Sequence, residues 1–183
     1  IKASLFPAYV LVLLNDEKKL LPGQKDRLTK NVILNLLDNS KIKYDIAPNK
    51  SINNPEVAPF ISNRDERVFI FSGFGGELIG SDLLNINKEF LHVHGGYLPD
   101  YKGSTANYFS LIDDNYLGAS SIFITKEIDC GPVLLRRKFP PPKDRSKIDY
   151  AHDSEVRAEV LIQTLKKYLK SGNWNIELEE NIG

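Results

Sequence analysis

The chain has 183 residues, 42% apolar and 26% charged, a composition that suits one soluble α/β domain with a sizeable core. Lys plus Arg and Asp plus Glu stand equal at 24 each, which argues against a general nucleic-acid or membrane-surface binder, because those carry a basic excess. Cys130 is the single cysteine, so a disulfide framework is excluded and a reducing, cytoplasmic setting is expected; the longest apolar run, Tyr9 to Leu14, is too short to span a bilayer.

Ala8 to Leu14 is a continuous apolar run and reads as a strand buried on both faces. Asp26 to Leu37 places Leu28, Val32, Leu36 and Leu37 near helical spacing. Lys43 to Ala47 predicts a short strand, and Pro55 to Ser62 a short helix with proline in its first turn. Arg67 to Ser72 predicts a buried strand that runs into the glycine-rich turn Gly73-Phe74-Gly75-Gly76, followed by Glu77 to Leu84. Glu89 to His94 is a further strand, Thr105 to Ile112 a helix, and Ala119 to Thr125 and Pro132 to Phe139 strands. Asp153 to Lys170 is the best helix: Ser154 is placed to cap it, and Val156, Val160, Leu161, Leu165 and Leu169 form one apolar stripe. The polar tail from Asn173 reads as a final strand or a loose segment. This alternation predicts an α/β fold with an open, mostly parallel (Rossmann-like) sheet and helices on both faces. The later strands follow one another without a full helix between them, so mixing is expected near the sheet edge.

The chemistry-bearing residues gather at one strand end. His92 and His94 lie two apart, so on a strand both point to one face while Val93 turns to the other. Gly95-Gly96 then lets the backbone turn close to a ligand. Imidazole is the side chain best suited to move protons near neutral pH. Two same-face histidines also raise the idea of a metal, but no third ligand stands at a close spacing, so no metal site is assigned. Asp129, before Cys130-Gly131-Pro132, is either a turn former or the carboxylate that orients an imidazole. Gly73 to Gly76 is not a dinucleotide fingerprint and reads equally well as the wall of a pocket for a flat ligand.

Three segments together carry a resemblance. Val93-His94-Gly95-Gly96-Tyr97-Leu98-Pro99 running to Gly103, then Gly118-Ala119-Ser120, then Asp129-Cys130-Gly131-Pro132-Val133-Leu134, resemble the folate-dependent formyltransferases. Their pattern is Asn-x-His-Pro-Ser/Gly-x-Leu-Pro-x-x-x-Gly, then Gly-x-Thr, then Asp-x-Gly-x-Ile. The resemblance spans about Val68 to Phe139. It implies a single formyltransferase-like catalytic domain over residues 1–183. The first strand looks like the family's second, so the opening strand and glycine turn are expected either to lie outside this sequence or to be shortened away. It implies His94 and Asp129 as catalytic residues, and it places His92 where the family has a catalytic Asn. An amide always offers N–H donors, whereas a neutral imidazole offers one, on either nitrogen. Phe71, Gly73, Phe74, Gly75, Gly76 and Asp129 are implied to line the site for formyltetrahydrofolate, the formyl donor, and Gly96, Tyr97 and Gly103 the acceptor side.

The function implied is formyl transfer to a primary amine of a small molecule. A nucleotide-linked amino sugar is the first acceptor class, because Tyr97, Tyr101 and Tyr108 crowd the motif; equally, these rings are ordinary packing. Glycinamide ribonucleotide is the second acceptor class. A hydrolase releasing formate from the folate, and a non-catalytic folate or nucleotide binder, stand as alternatives. No nucleic-acid or membrane partner is expected, and a homodimer is compatible with the sequence.

Overall fold

The computed structural model describes residues 3–14, 30–73 and 76–177. Its contacts cluster in two compact units, Ile1–Asp65 and Glu66–Gly183.

In the first unit, β1 (Tyr9–Val12) pairs in parallel with β2 (Lys43–Ile46), Tyr9 opposite Lys43 and Val12 opposite Ile46. A parallel pair needs a crossover, and α1 (Lys30–Asn39) lies within it. Val12, Leu37 and Ile42 form the core there, with Ile33 and Leu34 packed against them. The expected stripe is therefore only partly right. Leu37 is buried, but Val32 and Leu36 face outward, and Leu28 lies outside the described residues. β1 is half-buried along most of its length, its last residue Val12 being the buried one. The short helix α2 (Ala58–Ser62) starts later than proline spacing suggests, with Pro59 in its first turn.

The second unit carries His92, His94 and Asp129. Its sheet runs β3 (Val68–Ile70), β4 (Glu89–His94), β5 (Leu117–Phe123), β6 (Val133–Phe139), in that order. β3 and β4 are parallel; β4 with β5 and β5 with β6 are antiparallel. The architecture is α/β, and the mixing expected near the edge begins at β5. Among the described residues between β3 and β4, one short helix forms, α3 (Ser81–Leu84). α4 (Ala106–Asp113) precedes β5, and α5 (Asp153–Ser171) follows β6.

β4 is buried on both faces, and the two faces differ in kind. Val93, Ala119 and Leu135 point to α5 and meet Val160, with Val156 and Leu161 packed around them. A buried hydroxyl pair, Ser121 Oγ to Thr164 Oγ1 at 2.7 Å, ties β5 to α5 within that layer. The opposite face carries His92 and His94, in register with Ile122 and Ser120. Ser154 does not cap α5: the helix grows directly out of a π-turn at Ile148–His152, and His152 at its N-cap makes no side-chain cap bond. Past α5, Trp174 stacks on Tyr168 (ring centroids 4.0 Å apart), and the Glu177 N–H donates to the Val133 carbonyl at 2.7 Å.

Candidate active site

Strand geometry puts both imidazoles on one face, and three loops close around them. Phe71, just after β3, holds the first ring. His92 Nδ1 lies 3.0 Å from the Phe71 carbonyl oxygen. A carbonyl only accepts, so the proton of that bond sits on Nδ1 and Nε2 is the lone-pair nitrogen. Burial pushes the His92 pKa down, and the charges of Arg157 and His94 act in the same direction. The Phe71 hydrogen bond and the Asp129 charge oppose the shift without reversing it. His92 is thus a neutral imidazole near pH 7.

His94 is more deeply enclosed, at 5% exposure. Its Nε2 donates to the Tyr101 carbonyl at 2.8 Å. Its Nδ1 stands 3.4 Å from Asp129 Oδ1. The other Asp129 oxygen accepts from the Gly103 N–H at 2.9 Å. One carboxylate therefore joins the strand end to the loop that follows it. Asp129 itself has φ of +53°, the left-handed region, which Asp tolerates better than most residues. Gly103 has φ of +86°, which glycine adopts without steric cost and which lets its N–H meet Asp129. Beside them Lys102 Nζ donates to Cys130 Sγ at 3.1 Å, a second link between the same two loops.

The turn after β4 is fixed from behind. Ser120 Oγ donates to the Gly96 carbonyl (2.8 Å) and accepts from the Leu98 N–H (3.0 Å). Gly96 has no room for a side chain: a β-carbon there would stand 2.5 Å from His94 Nε2, 2.5 Å from the Tyr101 oxygen and 2.7 Å from the Ala106 β-carbon. The position expected on the acceptor side thus has a packing duty of its own. A β-carbon on Gly95 would collide with the Asp153 carboxylate. That carboxylate accepts from Asn107 Nδ2 at 2.9 Å, and Asn107 Oδ1 accepts from the buried Gly118 N–H at 2.7 Å.

The geometry thus brings His92, His94, Asp129, Phe71, Gly96 and Gly103 together. Tyr97 does not join them through its ring, which packs edge-on to Tyr116 at 6.3 Å with Lys138 Nζ 4.6 Å from its centroid. The Tyr101 hydroxyl donates to Asp114 (2.8 Å), which pushes its pKa up to about 12; the Tyr108 hydroxyl donates to Asp149 (2.7 Å). Gly73 and Gly76 border the loop after β3, while Phe74 and Gly75 lie outside the described residues. Sequence reasoning missed Asn107 and Asp153, whose positions carry no motif, and the roles of the Phe71 and Tyr101 carbonyls, which no side chain announces. A separate cavity of 420 Å³, lined by Phe90, Phe123 and Trp174, opens at the Glu89 end of β4, and neither imidazole reaches it. Among the described residues, no helix is long and apolar enough to cross a membrane.

A family model described as formyl transferase matches residues 4–164. The chain belongs to that family. It is 28% identical over 127 residues to the methionyl-tRNA formyltransferase of Levilactobacillus brevis, a match covering 68% of this chain and 40% of that protein. The chain therefore spans less than half the length of that curated relative. Solved structures share the fold. The phosphoribosylglycinamide formyltransferase of Streptococcus pneumoniae gives a TM-score of 0.61 at 13% identity, covering 78% of this chain and 83% of that one. A sugar N-formyltransferase from Shewanella gives 0.57 at 19% identity, covering 82% and 69%. In this formyl transferase chain, β4 and its turn fall inside the matched segment, as does Asp129.

Proposed function

We propose that this chain transfers a formyl group from formyltetrahydrofolate to a primary amine of a small molecule, an amino sugar carried on a nucleotide being the first acceptor class to test. The observation that carries this reading is the contact of His94 Nδ1 with Asp129, at 3.4 Å, at a strand end whose neighbouring loops converge on the same carboxylate. The residues present fit the donor. A pterin requires apolar walls beside acid–base groups; here the ring of Phe71 lies 6.2 Å from that of His92, and Ile128, next to Asp129, exposes 57% of its surface.

The bound donor would supply a formyl carbon and a nitrogen leaving group, so that one C–N bond forms, one breaks, and a proton passes from acceptor nitrogen to folate nitrogen. The chain's part is to manage that proton and to hold the reacting groups in place. Because the Nε2 proton of His94 is committed to the Tyr101 carbonyl, Nδ1 donates to Asp129 only in the imidazolium form, and that is the form the carboxylate stabilises. Phe71 and Tyr101 fix the tautomers of the two rings through their carbonyls. Gly103 and Ser120 hold the surrounding loops.

The acceptor is less constrained. The three tyrosines that suggest a sugar or base are occupied in packing and hydrogen bonds to Asp114 and Asp149, so the amino-sugar reading rests on the Shewanella neighbour. Glycinamide ribonucleotide remains the second acceptor to test, and the name of the Levilactobacillus relative adds methionyl-tRNA, an acceptor the neutral net charge argues against.

The experiment is a panel assay. The protein is incubated with formyltetrahydrofolate and, separately, nucleotide-linked amino sugars, glycinamide ribonucleotide, methionyl-tRNA and no acceptor, and both formylated product and free formate are measured. Product with one amine, lost on His94→Ala, supports the proposal. Formate released equally with and without acceptor assigns a hydrolase instead. Donor binding with neither product marks a binding protein.

A further inference from the structure

The two imidazoles carry four ring nitrogens, and among the described residues three of them have a protein partner. His94 uses both: Nε2 on the Tyr101 carbonyl and Nδ1 against Asp129. His92 uses only Nδ1, on the Phe71 carbonyl. His94 is buried and His92 half-buried. The remaining nitrogen, His92 Nε2, is on the same face of β4 as the His94–Asp129 pair, and in this tautomer it is an acceptor. A primary amine that attacks a carbonyl carbon must lose a proton, and an unpaired imidazole nitrogen is the base suited to take it. An N–H donor aimed at the formyl oxygen would require the opposite tautomer or a protonated ring.

We infer that His92 acts as the proton acceptor for the attacking amine through its Nε2 lone pair, and not as an N–H donor to the formyl oxygen. The inference rests on the formyl-transfer reading. The step balances: the amine lone pair forms the new C–N bond while the carbonyl π pair moves to the formyl oxygen, an N–H bond of the acceptor breaks with its electron pair remaining on nitrogen, and the proton goes to Nε2 to give an imidazolium. The tetrahedral adduct collapses by breaking the bond between the formyl carbon and the folate nitrogen, and the imidazolium gives its proton to that nitrogen, directly or through water, which restores the neutral ring. The groups around the ring set its working range. The Phe71 carbonyl after β3 and Asp129 favour the protonated ring; burial, His94 on β4 and Arg157 on α5 disfavour it. The net effect is a base that is already free at neutral pH.

Two measurements test this on the whole protein. In a sample labelled with ¹⁵N-histidine, two- and three-bond ¹H–¹⁵N couplings report the tautomer, with His92→Gln used to assign the signals. The expected result is an Nδ1–H ring at His92 that stays neutral at about pH 6.5, the ordinary imidazole midpoint. An Nε2–H tautomer, or a ring already charged at that pH, overturns the proposal whatever the activity. Kinetically, kcat/KM with an accepted amine is followed against pH. Wild type should show an acid limb below about pH 6.5 that His92→Asn removes, with a loss of about 10²-fold on the neutral plateau and little change in acceptor KM. An Asn variant that keeps both the limb and the rate sinks the idea. A wild-type protein that transfers nothing removes the formyl-transfer reading and this inference with it, whatever the tautomer.

Discussion

Ser120 fastens the turn that carries Gly96: one hydroxyl donates to the Gly96 carbonyl and accepts from the Leu98 N–H, with no exposure to solvent. The hydroxyl stands in the sheet face that holds both imidazoles, so the turn is anchored to the strand next to β4. Ser120→Ala leaves a buried carbonyl and a buried N–H unpaired. The expected cost is about 1–3 kcal/mol, read as a lower denaturation midpoint at unchanged m-value; Ser120→Thr, which keeps the hydroxyl, should recover most of it.

Gly96→Ala should be more damaging to the site than to the fold. Its β-carbon meets the His94 ring and the Tyr101 carbonyl, so the Nε2 bond must open or the turn must move. Overpacking of this kind costs about 1–3 kcal/mol. The sharper readout is the His94 ring signal in an NMR spectrum, which should shift even where far-ultraviolet dichroism does not.

Replacing Asp129 with Asn keeps an oxygen for the Gly103 N–H but removes the negative charge beside His94. Transfer activity should fall by about 10²–10⁴-fold while the melting temperature changes little. A fall in stability equal to that of Asp129→Ala would show the carboxylate to be a loop clamp without an acid–base role.

His92 makes stability depend on pH. Its folded pKa lies below the ordinary imidazole value of 6.5, mainly because of burial. Below the unfolded value the unfolded chain binds more protons than the folded one. The contribution is therefore complete above about pH 6.5 and falls away as the pH drops from there toward the folded pKa. Melting curves taken from neutral pH down through this window should show a component that His92→Gln lacks. Parallel curves for the two proteins would contradict the assignment.

Asn107→Ala should destabilise by about 1–3 kcal/mol, because it strips the buried Gly118 N–H of its acceptor and Asp153 of a donor. Asn107→Asp should fare no better, since it sets a second carboxylate against Asp153. Chemical denaturation of the three proteins checks the order.

β4 is fully legible in the sequence, ends included, because an apolar run flanked by a polar turn and a glycine pair has few other readings. His94 and Asp129 are named together only through the resemblance to a family pattern; that they touch is seen in the structure, because nothing in the spacing of residues 94 and 129 encodes the contact. The face of α1 is not legible. Val32 and Leu36 are as well spaced as Ile33 and Leu37, and only packing decides which stripe turns inward. Ser154 fits a cap by residue type, but the π-turn before it already continues into the helix. The tyrosines near the motif look like a ring platform in sequence; in space the hydroxyls of Tyr101 and Tyr108 find Asp114 and Asp149, at distances in the chain that no local pattern encodes. The Phe71 and Tyr101 carbonyls, which set both tautomers, are backbone atoms and leave no trace in residue identity.

The alternation along β4 has a wider consequence. Because successive side chains face opposite ways, a slip of one residue in its pairing with β5 would place Val93 among the loops and drive His92 and His94 beneath α5. Two imidazoles would then lose their carbonyl partners at once. The arrangement that the proposed proton transfer needs is therefore the same one that the hydrophobic layer selects during folding, and a misregistered sheet is rejected by its energy.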